Sequence, residues 1–260
     1  MEKTALITGA SSGIGAELAR IHAARGGDLV LVARRQDRLE QLKAELEGEH
    51  HVQVRIIPED LSDEGAPQRI FDLLRSQNIE IDFLMNNAGF GGRGLFHQRD
   101  WKQDRDMIQV NIVALSALTR LLLPAMVARK SGKVLNVSST AALMPGPLQA
   151  VYYATKAYVT YFSNALAEEL RGTGVTVTAL MPGATDTGFA ATSGMDATAL
   201  FDKAVSPRQV AEAGYRGMLN GSLDVITGLS PGQRFATRIM PFLPKKVLLK
   251  QVRQMQEVDQ

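Results

Sequence analysis

Apolar residues gather in short runs along this chain, and a longer amphipathic stretch follows each run. Six runs have strand length: Leu6-Ile7-Thr8, then 28–33, 52–57, 81–86, 133–137 and 175–180. Runs of that length and richness predict strands buried on both faces. Between them, apolar residues recur at helical spacing. The recurrences are Ala16, Leu18, Ala19, Ile21 and Ala23; Leu39, Leu42 and Leu46; Ile70, Leu73 and Leu74 within 63–77; Ile108, Ile112 and Leu115 within 101–130; and Phe162, Leu166 and Leu170 within 152–171. Strand and helix in alternation predict an α/β fold: a doubly wound parallel sheet with helices on both faces. No linker, repeat or low-complexity tract interrupts the pattern, so residues 1–260 read as a single domain.

Composition narrows the function classes. With 45% hydrophobic and 22% charged residues the chain is ordinary for a globular domain, and a net charge of +2 gives no reason to expect nucleic acid. The absence of cysteine excludes disulfides, thiolate nucleophiles and zinc-thiolate sites, and it fits a reducing cytoplasm, the expected location. The four histidines lack metal-ligand spacing, so no metal is expected. The run before Gly9 is too short for the apolar core of a signal peptide. No stretch reaches the 18 or so consecutive apolar residues of a membrane span.

The first apolar run ends in Gly9-Ala10-Ser11-Ser12-Gly13-Ile14-Gly15, and a helical pattern follows. Strand, glycine turn and helix make an anion site: glycines let the backbone approach a phosphate, and the free N–H groups of the helix start attract it. The spacing Gly-x-x-x-Gly-x-Gly departs from the commoner Gly-x-Gly-x-x-Gly. The same residues spell Gly-x-Ser-x-Gly, the nucleophile elbow of α/β-hydrolases, which would make Ser11 a nucleophile. No histidine lies beyond residue 97, and the elbow would fall on the first strand, so the serine hydrolase is the weaker reading.

At the end of the second strand, Ala33, Arg34 and Arg35 stand where an NAD-binding chain commonly carries an acid for the ribose 2′-hydroxyl. Guanidinium groups suit a 2′-phosphate instead, which predicts NADP(H). Asp60, with Leu61 beside it, follows the third strand and is placed to meet an adenine amino group. Asn87-Ala88-Gly89 follows the fourth strand, where small residues permit close cofactor approach. The glycine-rich loop 90–99 reads as mobile. Asn111 interrupts an apolar helical face; a buried amide needs partners, either backbone or a water in a proton relay.

Tyr152 and Lys156 stand four apart on a helical stretch and share a face. A phenol, with an ordinary pKa of about 10, is a poor base at neutral pH unless its ionised form is favoured. An ammonium one turn away is placed to do that, making Tyr152 a proton-transfer group.

Taken in order, Thr8-Gly9-Ala10-Ser11-Ser12-Gly13-Ile14-Gly15, Asn86-Asn87-Ala88-Gly89, Ser139 with Tyr152 and Lys156, and Pro182-Gly183 resemble the short-chain dehydrogenase/reductase family. The likeness spans roughly residues 3–226. It implies a Rossmann-like domain and a catalytic tetrad of Asn111, Ser139, Tyr152 and Lys156. Ser139, thirteen residues before the tyrosine, would orient the substrate oxygen. Tyr152 would pass it a proton, Lys156 would bond the nicotinamide ribose, and Asn111 would hold a relay water. Thr185 and Thr187 would contact the carboxamide or phosphates, although Thr185 stands where the family more often has Ile or Val. The resemblance further implies a small carbonyl or alcohol substrate, a lid at 188–204, and a homodimer or homotetramer paired through the helices holding Asn111 and Tyr152. The C-terminal extension 229–260 is longer than the family minimum. It is left to cover the site, meet a partner subunit, touch a membrane surface or pack on its own domain. A catalytically silent NADP(H) sensor is the alternative function.

Overall fold

The computed structural model describes residues 3–195, 204–230, 232, 233, 235, 237 and 244–257. Seven parallel strands form its sheet: β1 (Ala5–Thr8), β2 (Leu29–Ala33), β3 (Val54–Pro58), β4 (Phe83–Asn86), β5 (Gly132–Val137), β6 (Val175–Pro182) and β7 (Asp224–Thr227). Their order is β3-β2-β1-β4-β5-β6-β7, so the direction of winding reverses between β1 and β4. Ligands of open parallel sheets bind outside the strand C-termini at such a reversal.

Residues alternate along each strand, and the two sets feed two cores. Ala5, Ile7, Leu29 and Leu31 face one side, with α1 (Gly13–Ala23), α2 (Gln36–His50) and α8 (Pro207–Asn220) packed over them through Leu18, Leu39 and Val210. Leu6, Val30, Val32 and Leu84 face the other, under α3 (Ala66–Ser76) and α5 (Leu115–Ala128), with Ile70, Leu118 and Leu122. Both faces are covered, as the apolar runs require.

The structure corrects the sequence reading in four places. A seventh strand, β7, lies at the edge beside β6, and its alternately exposed residues gave no apolar run to read. Leu73 points outward at 38% exposure, while Leu74 is buried. Leu74→Ala is therefore expected to cost about 2–5 kcal/mol in urea denaturation, against less than about 0.5 for Leu73→Ser. Third, the long helix carries a π turn at Gln109–Ala114 between α4 (Trp101–Ile108) and α5. The extra residue per turn rotates the buried face, so Met107, Val110, Asn111 and Ala114 go inward while Ile108 and Ile112 are only half-buried. The combined helix Trp101–Ala128 is long and apolar enough by composition to cross a membrane, yet its buried stripe packs on the sheet as a core helix does.

The fourth correction concerns loop 90–99, which the structure anchors along its length. Arg99 pairs with the buried Asp104 at 2.8 Å and donates from Nη1 to the Arg93 carbonyl, while the Gly94 N–H reaches Leu148 O at 2.8 Å. The lid expected at 188–204 is described only in part. It holds the short helix α7 (Phe189–Ser193), and Thr185 and Val205 pair across its base; 196–203 lie outside the described residues. In the C-terminal extension, 231, 234, 236, 238–243 and 258–260 lie outside them too. Its helix α9 (Lys245–Gln256) packs on its own domain through Leu248, Val252 and Gln256, one turn apart each.

Candidate active site

The glycine, Arg34-Arg35, Asp60, Asn87-Ala88-Gly89, Ser139 and Pro182-Gly183 motifs lie at strand C-termini, along the β1–β4 crevice or beside it. After β1 the chain turns at Gly9 and Gly13, both with positive φ (65° and 57°), and enters α1. The turn is pressed against the loop after β4. A Cβ on Gly15 would collide with the Gly9 carbonyl and the Asn87 amide, and one on Gly9 would stand 2.8 Å from Asn87 Nδ2. Thr8 locks this contact: its Oγ1 accepts from the N–H groups of both Asn87 and Ala88 at 3.0 Å. Asn87 Nδ2 in turn donates to the carbonyls of Thr8 and Gly9. The Asn87 side chain, read from the sequence as a cofactor contact, is a brace for the glycine turn.

Arg35 reaches from the end of β2 to the same turn. Its Nη2 donates to Ser11 Oγ at 3.0 Å and Ser12 Oγ at 2.9 Å. The side-chain partner of Ser11 is thus an arginine and not the histidine a nucleophile elbow needs. The one histidine of the nearby α1, His22, is buried between Tyr215 and the Lys3 carbonyl. Arg34 lies 3.9 Å from Asp60, both exposed, and Asp60 Oδ1 holds the N–H and hydroxyl of Ser62. Leu61 is buried in the core under β2. Two hydroxyls and two guanidiniums thus ring the rim beside the glycine turn, a donor set that fits a phosphate.

At the end of β5 the two serines face opposite ways. Ser138 is buried, bonding Lys156 O and Thr160 Oγ1, and so fastens the strand to α6 (Ala150–Glu169). Ser139 lies beside the Tyr152 phenol; its hydroxyl accepts from Ala141 N–H and lies 3.5 Å from Pro182 O. Tyr152 is buried among Met107, Ala141, Phe90, Val151, Tyr153 and Phe189, with the Phe189 ring centroid 5.2 Å away.

Lys156 is 4% exposed; its Nζ donates to Val137 O at 2.9 Å and stands 5.8 Å from the Tyr152 ring centroid. Burial draws the ammonium down to about 8. Burial also pushes the Tyr152 phenol well above its ordinary value, with the Ser139 bond opposing. The expectation that Lys156 lowers the tyrosine is not met in this state, because Nζ is turned to a backbone carbonyl and desolvation outweighs it. A Cβ on Gly89 would meet Asn111 Oδ1 at 3.0 Å and Lys156 Nζ at 3.2 Å, so Gly89, Asn111 and Lys156 form one cluster.

Asn111 sits in the π turn with its side chain fully bonded. Nδ2 donates to Phe90 O and Thr155 Oγ1, and Oδ1 accepts from Phe90 N–H. The buried amide thus finds the backbone partners that one of the two sequence readings expected, with Thr155 besides. Thr185 donates to Gly183 O, and the Thr187 methyl lies over Gly13, which brings the loop after β6 onto the glycine turn. Gly183 N–H is held by Thr227 O of β7. Sequence reasoning missed Thr8, Thr155, Phe90 and Phe189, whose parts depend on partners far along the chain. Only Thr8, in the strand just before the glycines, stood beside a signal.

Fold and site together define a nucleotide-binding doubly wound protein with a Ser-Tyr-Lys cluster beside the crevice. The chain belongs to the short-chain dehydrogenase/reductase family: the family model described as short chain dehydrogenase matches residues 3–197. It is 34% identical over 188 residues to the very-long-chain 3-oxoacyl-CoA reductase of Homo sapiens, covering 68% of this chain and 58% of that one. The chain spans about 60% of the length of the curated relatives it matches. Among solved structures, a short-chain dehydrogenase from Sphingobium yanoikuyae in complex with NADPH is 33% identical over 99% of both chains, with a TM-score of 0.83. A bulky-bulky ketone specific alcohol dehydrogenase from Comamonas testosteroni is 29% identical over 92% of both, with a TM-score of 0.79.

Proposed function

We propose that this chain is an NADP(H)-dependent oxidoreductase that interconverts a carbonyl and an alcohol, with Tyr152 as the acid and base. The observation that carries this reading is the buried Tyr152 phenol beside Ser139, one helical turn from the buried Lys156. The residues present suit the cofactor, since the glycine turn leads straight into the N-terminus of α1 and the rim beside it gathers guanidinium and hydroxyl donors. Gly9, Ser11, Ser12, Gly13, Ile14 and Gly15 would hold its phosphates, Arg34 and Arg35 a 2′-phosphate, and Asp60 with Leu61 the adenine. Asn87-Ala88-Gly89 and Lys156 would hold the ribose, and Pro182, Gly183, Thr185 and Thr187 the nicotinamide end. The bound nicotinamide supplies or accepts hydride.

The protein's own part is the proton. Burial keeps Tyr152 protonated, so at neutral pH it is poised as an acid toward a carbonyl oxygen, which favours reduction. Ser139 donates to the same oxygen and orients it. Lys156, while charged, stabilises the phenolate left behind. Phe90, Val151, Tyr153 and Phe189 make the wall around Tyr152 apolar, which suits a hydrophobic ketone. The ketone and 3-oxoacyl substrates in the names of two of the relatives agree with that class.

Cofactor choice tests the rim. Replacing Arg34 and Arg35 together by Ala is expected to weaken NADPH binding by about tenfold for each charged bond lost, with NADH little changed, as read by fluorescence titration. Equal affinity of the unaltered protein for the two cofactors would refute the 2′-phosphate site.

Pairing through the helices that hold Asn111 and Tyr152 is part of the same proposal. Val113, Tyr158 and Tyr161 expose large apolar surface there, and Ser116 Oγ lies 3.1 Å from Tyr158 Oη between the two helices. Such a strip, rimmed by polar residues, suits a second copy.

A further inference from the structure

One residue at the far end of the chain is tied to two segments around Tyr152, and through Gln149 to a third. Gln256, the last residue of α9, is 0% exposed. Its Nε2 donates to Tyr153 Oη at 2.6 Å, and its Oε1 accepts from Gln149 Nε2 at 3.1 Å. Its backbone carbonyl accepts from Arg93 Nε at 2.7 Å. Gln149 also reaches Met195 Sδ at 3.0 Å, past the end of α7. These bonds join the start of α6, loop 90–99 and the α7 segment. The same three segments supply Tyr153, Phe90 and Phe189 to the wall around Tyr152.

We infer that Gln256 is a positioning residue: through it α9 latches over the substrate side of Tyr152 and sets the size of the chamber there. The inference rests on Tyr152 being the reacting acid. The latch lies away from the cofactor side, where Lys156, Gly89 and the glycine turn meet. Tyr153 is the part that transmits it. Its ring stands 6.1 Å from that of Tyr152, edge to face, and it presses on Gly146 so closely that no Cβ would fit there. Losing the Gln256 bond would free the Tyr153 hydroxyl and let its ring move on the chamber wall. Gln149, in the same bond network, adds one unfilled polar position near this otherwise apolar wall. Its Oε1 is buried without a hydrogen-bond partner, in a side chain whose other end is fully used. A hydroxyl or N–H of a substrate would satisfy it.

A purely packed helix would need only the apolar stripe of Leu248 and Val252. Gln256→Leu keeps that stripe and the backbone bond from Arg93 and removes only the two side-chain bonds, so it separates latching by the side chain from packing. Three proteins should be made: Gln256→Leu, Tyr153→Phe and the double variant. In Gln256→Leu, amide hydrogen exchange of Gly94, whose N–H is held by Leu148 O, is expected to rise about tenfold while β1 and β4 amides keep their protection. Unchanged exchange at Gly94 overturns the latch. With NADPH saturating, the variant's KM for benzophenone relative to acetophenone is expected to shift about fivefold or more, with a smaller change in kcat. If exchange rises but this ratio holds, the latch does not shape the chamber and the inference fails.

The double variant is expected to be no worse than Gln256→Leu alone, because the bond that Tyr153→Phe removes is already lost in Gln256→Leu; additive losses would place Gln256 outside the Tyr153 path. Should Gln256→Leu fold poorly, Tyr153→Phe carries the same ratio measurement. If the unaltered protein reduces neither ketone nor any other carbonyl probe with NADPH, the proposed activity fails, and the exchange measurement still decides whether Gln256 holds the loop.

Discussion

Tyr152→Phe is expected to lower carbonyl reduction by about 10²–10⁴-fold, the usual worth of a positioned acid, while NADPH binds within about twofold of the unaltered protein. The change removes one oxygen from a buried ring whose surroundings are otherwise apolar, so the fold should tolerate it. Initial rates with NADPH and a hydrophobic ketone, beside a fluorescence titration of the cofactor, make the test. A variant that kept a tenth of its activity would show that another group supplies the proton. Ser139→Ala would then be the next to examine, since Ser139 lies beside the phenol.

The second large effect is at Lys156, and it runs in opposite directions for activity and stability. The ammonium has an ordinary pKa of 10.5, drawn down to about 8 by burial in the fold. Between those values the unfolded chain binds the proton and the folded one does not, so stability should rise as pH climbs from about 8 to about 10.5. At neutral pH the fold carries the whole penalty, on the order of 3 kcal/mol from the depressed pKa. Part of it is offset by the bond to Val137 O. Lys156→Met removes the charge and fits the same volume, so the variant is expected to be more stable by about 1–2 kcal/mol at pH 7 in chemical denaturation. That gain should vanish near pH 10.5. Turnover should fall by about 100-fold or more, because nothing then favours the phenolate. For the unaltered enzyme, reductive kcat/KM should decline as pH rises through about 8, where Lys156 loses its proton. A profile flat to pH 10 would remove the lysine's charge from the mechanism.

Much of the fold was legible because parallel strands buried on both faces leave apolar runs that no helix period imitates. β1, β2 and β6 are of this kind, and their limits differ from the sequence reading by a residue or two. Strand β7 escaped because Asp224 and Ile226 are exposed at the sheet edge, so four residues carry only half a signal. Leu73 was misread because an apolar residue beside a buried stripe looks the same in sequence whether it lies just inside or just outside the covered arc. Within the site, the glycine turn and the Tyr152–Lys156 pair are local spacings, readable from one segment. Asn111 was legible as a buried amide, but its partner Phe90 lies 21 residues away on a loop with no regular pattern. Gln256 and Tyr153 are 103 residues apart, and no period or motif links them. The lowered pKa of Lys156 was not legible for another reason: spacing on a helix shows which groups share a face, whereas desolvation depends on everything that closes over them.

Thr8 draws one hydroxyl into two bonds across the line where the sheet reverses, and Asn87 returns two more to the same turn. The two lips of the cleft are therefore stitched together before any ligand arrives. A ready-made groove asks little rearrangement of its guest, so cofactor uptake should follow a single exponential whose rate grows linearly with concentration, without the plateau of a slow isomerisation.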